Sequence, residues 1–195
     1  MNKIKGVGWL AVAVTVSCVG PGCVNSRRSG INAASSDSRS LVVELLVLDL
    51  SSCGRCIGTD RSIEASVREL RPILAKTGVE LRFRKTIVRR AEQAVALRFQ
   101  SSPTVRINGR DVPIEFRESR CGDCTGLLGG SPCAVDCRVW VWQGREFTEA
   151  PKGLIVDAIL RAYPTAFEDR PPVPSEPFDL PENLKRFFAA REAAW

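Results

Sequence analysis

The chain has 195 residues, a formal net charge of +6 and an ordinary balance of 44% hydrophobic and 26% charged residues, which bounds it to one well-buried domain with appendages. Its positive charge is mostly arginine, scattered rather than gathered into a run and without aromatic interleaving, so nucleic acid is not an expected partner. Histidine is absent, which excludes Ser/His and Cys/His nucleophile arrangements and every metal site that needs imidazole.

Residues 1–25 read as a targeting segment. Lys3 and Lys5 precede an apolar run from Val7 to Val16 that is too short to span a bilayer and suits the core of an export signal. "TVSC" follows, resembling a lipoprotein processing site at which Cys18 would be lipidated, although Thr15 stands where Leu is usual. The expectation is an exported protein, periplasmic or membrane-anchored. A signal cut later, near Ala34, or a misassigned start that leaves the protein cytoplasmic, are the alternatives. Residues 26–40, rich in Ser, Arg and Asn, make a flexible tether.

The domain is expected over 41–163. "LVVELLVLDL" from Leu41 is nearly continuous in Val and Leu, the pattern of a strand buried on both faces. Ile63, Val67, Leu70 and Leu74 recur at helical spacing, with Arg61, Arg68, Glu69 and Arg71 off that face. "VELRFRKT" from Val79 alternates as a second strand, and "RRAEQAVALRF" makes a short helix. "SSPTVRINGRDV" puts Pro103 at the head of a third strand that turns at Asn108 and Gly109. A cysteine-rich insertion, 111–137, comes next. "RVWVWQGREFT" is then a strand with a turn at Gln143 and Gly144, and "GLIVDAILRAY" a last core helix. This order implies an α/β fold with a mixed sheet, helices on its faces and a central first strand. Trp140 and Trp142 share one strand face and are expected as core or under the insertion.

Cys53 and Cys56 stand two residues apart at the first strand-to-helix junction. Running the helical stripe back at about 100° per residue puts Cys56 on it and Cys53 off it, so Cys53 should be exposed and Cys56 sheltered. In the first turn of a helix the unpaired N–H groups and the dipole favour a thiolate, and Arg55 adds positive charge. Gly58 with the capping candidates Thr59 and Asp60 leaves open a helix that begins near residue 60 instead. Alone, a C-x-x-C is half a zinc site about as readily as a redox pair, or an inert disulfide.

The insertion holds Cys121, Cys124, Cys133 and Cys137, with two, eight and three residues between them. Four thiolates could build a tetrahedral zinc site, form two disulfides, or capture a soft ion. The third strand should run antiparallel to the first, placing its far end, where the insertion starts, about 15 Å or more from Cys53. Direct exchange between the two cysteine groups is therefore not expected. With Cys18 lipidated, Cys23 is left alone in the tether. The final stretch, 164–195, is proline-rich and then amphipathic, with Leu184, Phe187 and Phe188 on one side; docking on the domain is expected, a partner-binding arm being the alternative.

"SCGRC" after a buried strand, together with "SSPTVRING", resembles the thioredoxin-like superfamily over about 41–110 and 138–163. With "CRVWVWQG" and "PENLKRFF" added, the chain is similar to an uncharacterised thioredoxin-like family known only as a domain of unknown function, which brings no activity with it. The superfamily resemblance implies a thioredoxin-like mixed sheet flanked by helices, carrying the Cys-rich insertion between its last two strands. It also implies thiol-disulfide exchange with Cys53 attacking, Cys56 resolving and Pro103 as a cis residue that positions substrate. Ser52 occupies the place of thioredoxin's usual aromatic. The expected activity is a thiol-disulfide oxidoreductase that acts on a protein or small-molecule disulfide or thiol as a monomer, needs no cofactor and admits zinc on the inserted cysteines. The competing class is a non-enzymatic zinc- or soft-metal-binding thiol protein on the same fold.

Overall fold

The structure, a computed structural model, describes residues 39–112, 115–121, 135–168 and 176–193. The targeting segment, tether residues 26–38, Cys18, Cys23, Cys124 and Cys133 lie outside the described residues, and Ser40, expected as the end of the tether, already belongs to the first strand.

β1 (Ser40–Val47) is the strand that its Val/Leu run predicts. Seven of its eight residues are apolar or hydroxyl and only Glu44 carries charge, so it can be buried on both faces. It pairs in parallel with β2 (Glu80–Ile87), Val43 facing Phe83, and antiparallel with β3 (Thr104–Ile107), Val43 facing Ile107. With the two-residue β4 (Arg110–Asp111) the order is β2-β1-β3-β4, a mixed sheet with β1 inside.

α1 (Gly54–Ala75) connects β1 to β2. Its stripe of Cys56, Ile63, Val67, Leu70 and Leu74 is buried, as the spacing predicts, and the arginines stand outside. The helix does not break at Gly58. Thr59 is not a cap but a buried mid-helix residue whose hydroxyl accepts from the Ala150 N–H at 3.0 Å. Gly58 lies instead under the Glu149 side chain, whose carboxylate a Cβ there would displace. After α2 (Ala91–Ala96) the chain returns through β3 and β4.

A second, three-stranded sheet follows: β5 (Arg117–Cys121), β6 (Val135–Trp142) and β7 (Arg145–Phe147), all antiparallel. Part of the segment read as insertion, 117–121 and 135–137, is thus strand. β6 is joined to the first sheet by a parallel bridge between Cys137 and Ser102, with the Arg138 N–H donating to the Ser102 carbonyl at 2.9 Å. Trp140 is core, and the half-buried Trp142 ring lies so close to Gly153 that no side chain fits there. Gly153 belongs to α3 (Lys152–Ala162), which packs on α1 and is followed by a 3-10 turn at Tyr163–Phe167.

α4 (Glu182–Ala193) docks rather than projecting: Leu184, Phe187 and Phe188 are at most 2% exposed and belong, with Leu180, to the same core as β1 and α1. No helix among the described residues is long and apolar enough to cross a membrane.

Candidate functional site

Strand β1 ends at Val47, and the loop that follows is shaped by one carboxylate. Asp49 Oδ1 accepts from the Ser51 N–H at 3.1 Å and the Ser51 hydroxyl at 2.7 Å. Its Oδ2 accepts from the Ser52 N–H and hydroxyl, both at 2.7 Å, and from the Cys53 N–H at 3.1 Å. Burial works to raise the Asp49 pKa, but the hydroxyl and backbone donors of Ser51 and Ser52 outweigh it and hold the carboxyl well below the usual carboxylate range. A buried, ionised carboxylate with five donors is a fixed anchor. It delivers Cys53 to the N-cap position of α1, from which the Cys53 carbonyl accepts the first helical bond, from the Ile57 N–H at 3.0 Å.

Cys53 caps the helix and Cys56 is its third residue, so both thiols sit where unsatisfied N–H groups and the dipole favour negative charge. Against expectation, Cys53 is not exposed: both cysteines have 0% exposure. The helical wheel speaks only of α1's own faces, and what covers Cys53 is tertiary. Arg55, expected to tune a thiolate, directs its guanidinium into the β5–β6 hairpin. Nη1 donates to the Ser119 hydroxyl at 3.0 Å and to the Ser119 and Cys137 carbonyls at 3.4 Å, and Nη2 donates to the Arg120 carbonyl at 3.0 Å. On the hairpin's other face, Asn183 of α4 donates to Glu118 Oε1 at 3.2 Å and to the Asp136 carbonyl at 3.3 Å. The hairpin is thereby strapped against the head of α1.

The fold-back that was not expected of the insertion is present in its strand β6. The insertion does start at the far end of β3, but it folds back along the sheet, and β6 passes beside the residues that open β3. The Ser102–Pro103 peptide is cis, as the resemblance implied. Ser102 is the residue that sequence reading missed. It is fully buried; its hydroxyl accepts from the Leu48 N–H at 3.1 Å and lies 3.3 Å from Cys56 Sγ, while its backbone bridges Cys137. One serine therefore touches the end of β1, the dithiol and the hairpin.

Cys121 and Cys137 are both buried on the hairpin. Cys121 faces Val135 and Cys137 faces Ser119, so the two share a face with an offset of two residues. Among the described residues no group of three or more Cys, Asp or Glu is placed to hold a metal; Cys124 and Cys133, the other two of the expected zinc set, lie outside those residues. Arg138, on the opposite face of β6, is a buried cation. Its guanidinium lies over the rings of Phe116 at 4.9 Å and Trp140 at 5.8 Å and donates to Asp111 at 3.4 Å. Burial draws its pKa below the ordinary arginine value, with Asp111 working the other way.

No curated protein and no solved structure matches the chain. One family does, over residues 41–159, a span that runs from β1 into α3 and takes in the Asp49 loop, the dithiol, Ser102 and the hairpin. The chain belongs to the family described as a domain of unknown function, DUF2703.

Proposed function

We propose that the domain performs thiol-disulfide exchange on a thioredoxin-like arrangement, with Cys53 attacking and Cys56 resolving. The observation that carries this reading is the position of the pair: both thiols lie in the first turn of α1, Cys53 as N-cap and Cys56 on the third residue. A thiolate formed at Cys53 attacks a disulfide sulfur of the substrate, one substrate sulfur leaves as a thiol, and a mixed disulfide remains. Cys56 then attacks Cys53 Sγ, releasing the second substrate sulfur and leaving Cys53 joined to Cys56. The helix terminus stabilises the attacking and leaving thiolate without a histidine. Ser102 assists at Cys56, since its hydroxyl accepts from Leu48 and keeps its own proton available to the cysteine sulfur at 3.3 Å.

Further support comes from the topology. A parallel β1-α1-β2 unit, an antiparallel β3-β4 pair and a proline opening β3 beside the dithiol are what the superfamily resemblance implies. The substrate class is a disulfide or thiol of a protein or small molecule, met outside the cytoplasm if the first 25 residues act as an export signal.

The roles are tested by trapping. Reduced wild-type protein and Cys56→Ser are each mixed with oxidised glutathione, quenched in acid and digested. The expected result is a persistent glutathione adduct on Cys53 in Cys56→Ser, and a short-lived one in wild type that converts to a Cys53–Cys56 disulfide. Equal persistence in both proteins, or an adduct that never forms on Cys53, contradicts the assignment. A native mass that carries a metal and shields both thiols supports the metal-binding class instead.

A further inference from the structure

Three arginines that the exchange reading does not use meet in one cleft. Arg89 and Arg90 stand between the end of β2 and the start of α2, and Arg191 lies in the last turn of α4, three residues beyond Phe188 and so on the same helix face. α2 and α4 pack against each other, and these four residues, with Glu192, line a cleft of about 310 Å³, a volume suited to a small ligand. The backbone there is committed: the Arg89 N–H donates to Gln93 Oε1 at 2.9 Å, and the Arg90 carbonyl accepts from the Ala94 N–H at 3.1 Å. The side chains are not. Among the described residues no hydrogen bond or ion pair engages the guanidinium of Arg89, Arg90 or Arg191, and Glu192 pairs with none of them although it lines the same cleft. Elsewhere the fold gives its arginines acids, Asp111 to Arg106, Glu115 and Glu146 to Arg117, and Asp157 to Arg161. Arg191 is half-buried and its Nη1 is closed off from solvent without an acceptor, which native structures rarely leave unexplained. Burial of that edge holds the fork in place without neutralising it, and the cleft is where an acceptor can reach the rest.

We infer that this cleft binds a phosphate monoester, its phosphoryl group held by Arg89, Arg90 and Arg191 and its organic part resting on Phe188 and the apolar arginine stems. Three cations against the single carboxylate of Glu192 leave the lining with two positive charges in excess. A phosphate monoester carries about −1.5 to −2 at neutral pH and presents three oxygens to the planar forks. A carboxylate presents one charge and two oxygens. Charge and oxygen count therefore both select the phosphoryl group. The nearly buried Phe188 ring gives the cleft an apolar wall, and beside such a wall a charge pair is stronger than it is in open water.

The test is a calorimetric titration of the full chain with phenyl phosphate, with benzoate as the carboxylate probe and inorganic phosphate as the free ion. Phenyl phosphate is expected to bind saturably, about tenfold or more tighter than benzoate, and Arg191→Gln is expected to weaken it by about tenfold or more. Because a change at the half-buried Arg191 could loosen α4, the exposed Arg89→Gln is titrated in parallel and should weaken binding several-fold. Phenyl phosphate should also raise the unfolding temperature of wild type more than that of either variant, since a ligand stabilises only the fold that binds it. No saturable binding, benzoate binding as tightly as phenyl phosphate, or affinity unchanged in both variants overturns the inference. Inorganic phosphate binding as tightly as phenyl phosphate overturns the ester and leaves a free-ion site.

Discussion

Two elements join the common core and differ in what else holds them. α4 is fixed by apolar burial, with Leu184, Phe187 and Phe188 merged into the common core. The β5–β6 hairpin also sends Cys121, Val135, Cys137 and Trp140 into that core, but it is tied to the head of α1 by directed hydrogen bonds, four of them from Arg55. Apolar burial is non-directional and lost only when the helix leaves as a whole, whereas a strap made by one side chain can open locally while the domain stays folded. On the exchange reading a thiol must become exposed, and the expectation is that the hairpin, through its Arg55 strap, opens for this while α4 stays docked.

The largest expected effect tests the first half of that contrast. Phe187→Ala deletes a fully buried ring and should cost about 3–5 kcal/mol in urea or thermal unfolding, with no change in the equilibrium between Cys53 and Cys56 measured on the fraction that remains folded. A loss under about 1 kcal/mol would mean that α4 is peripheral.

Next comes the loop that sets Cys53. Asp49→Asn turns amide donors toward N–H groups that need an acceptor, and should destabilise by about 2 kcal/mol at neutral pH. The carboxyl is held below its ordinary value in the fold, so its contribution is complete above the ordinary carboxylate pKa near 4 and is lost as pH falls below that toward the folded value. Wild type should therefore lose stability below about pH 4 more steeply than Asp49→Asn, and parallel acid profiles of the two would refute the anchor.

Arg55→Ala sharpens the second half. Removing the strap should raise the alkylation rate of Cys53 by about tenfold or more, the value of one to two kcal/mol of lost hydrogen bonding, while costing the global fold less than Phe187→Ala does. An unchanged alkylation rate would show that the hairpin does not control access. Gly58→Ala should have the smallest effect. Alanine gains about 1 kcal/mol of helix propensity, offset by displacement of the Glu149 carboxylate, which is the far end of a flexible side chain; unfolding midpoints should differ by a few degrees at most.

Much of this was legible in the residues. The nearly continuous Val/Leu run gave β1 its central place, the spacing from Ile63 to Leu74 gave α1 its buried face, and Pro103 marked the start of β3. Leu184, Phe187 and Phe188 announced a docking helix. Asp49 left a local signal that went unread: an Asp followed two and three residues later by serines is a turn in which side-chain oxygens replace backbone acceptors. The hairpin left almost none. "RESRC" lacks the apolar alternation that reveals a strand, because its pairing with β6 and its strap to Arg55 are supplied from elsewhere in the chain. The bridge between Ser102 and Cys137 depends on that same fold-back, a contact between segments far apart in sequence that no local pattern encodes.

The measurement closest to the central claim is a redox titration of the full chain, read by intact mass and by peptide mapping after alkylation across a series of glutathione and dithiothreitol buffers. Cys53 and Cys56 are expected to lose and gain their alkyl labels together, as a two-electron couple between about −120 and −270 mV, the span of known exchange proteins. Labels that change independently of each other, or two thiols that remain reduced throughout that range, would contradict it.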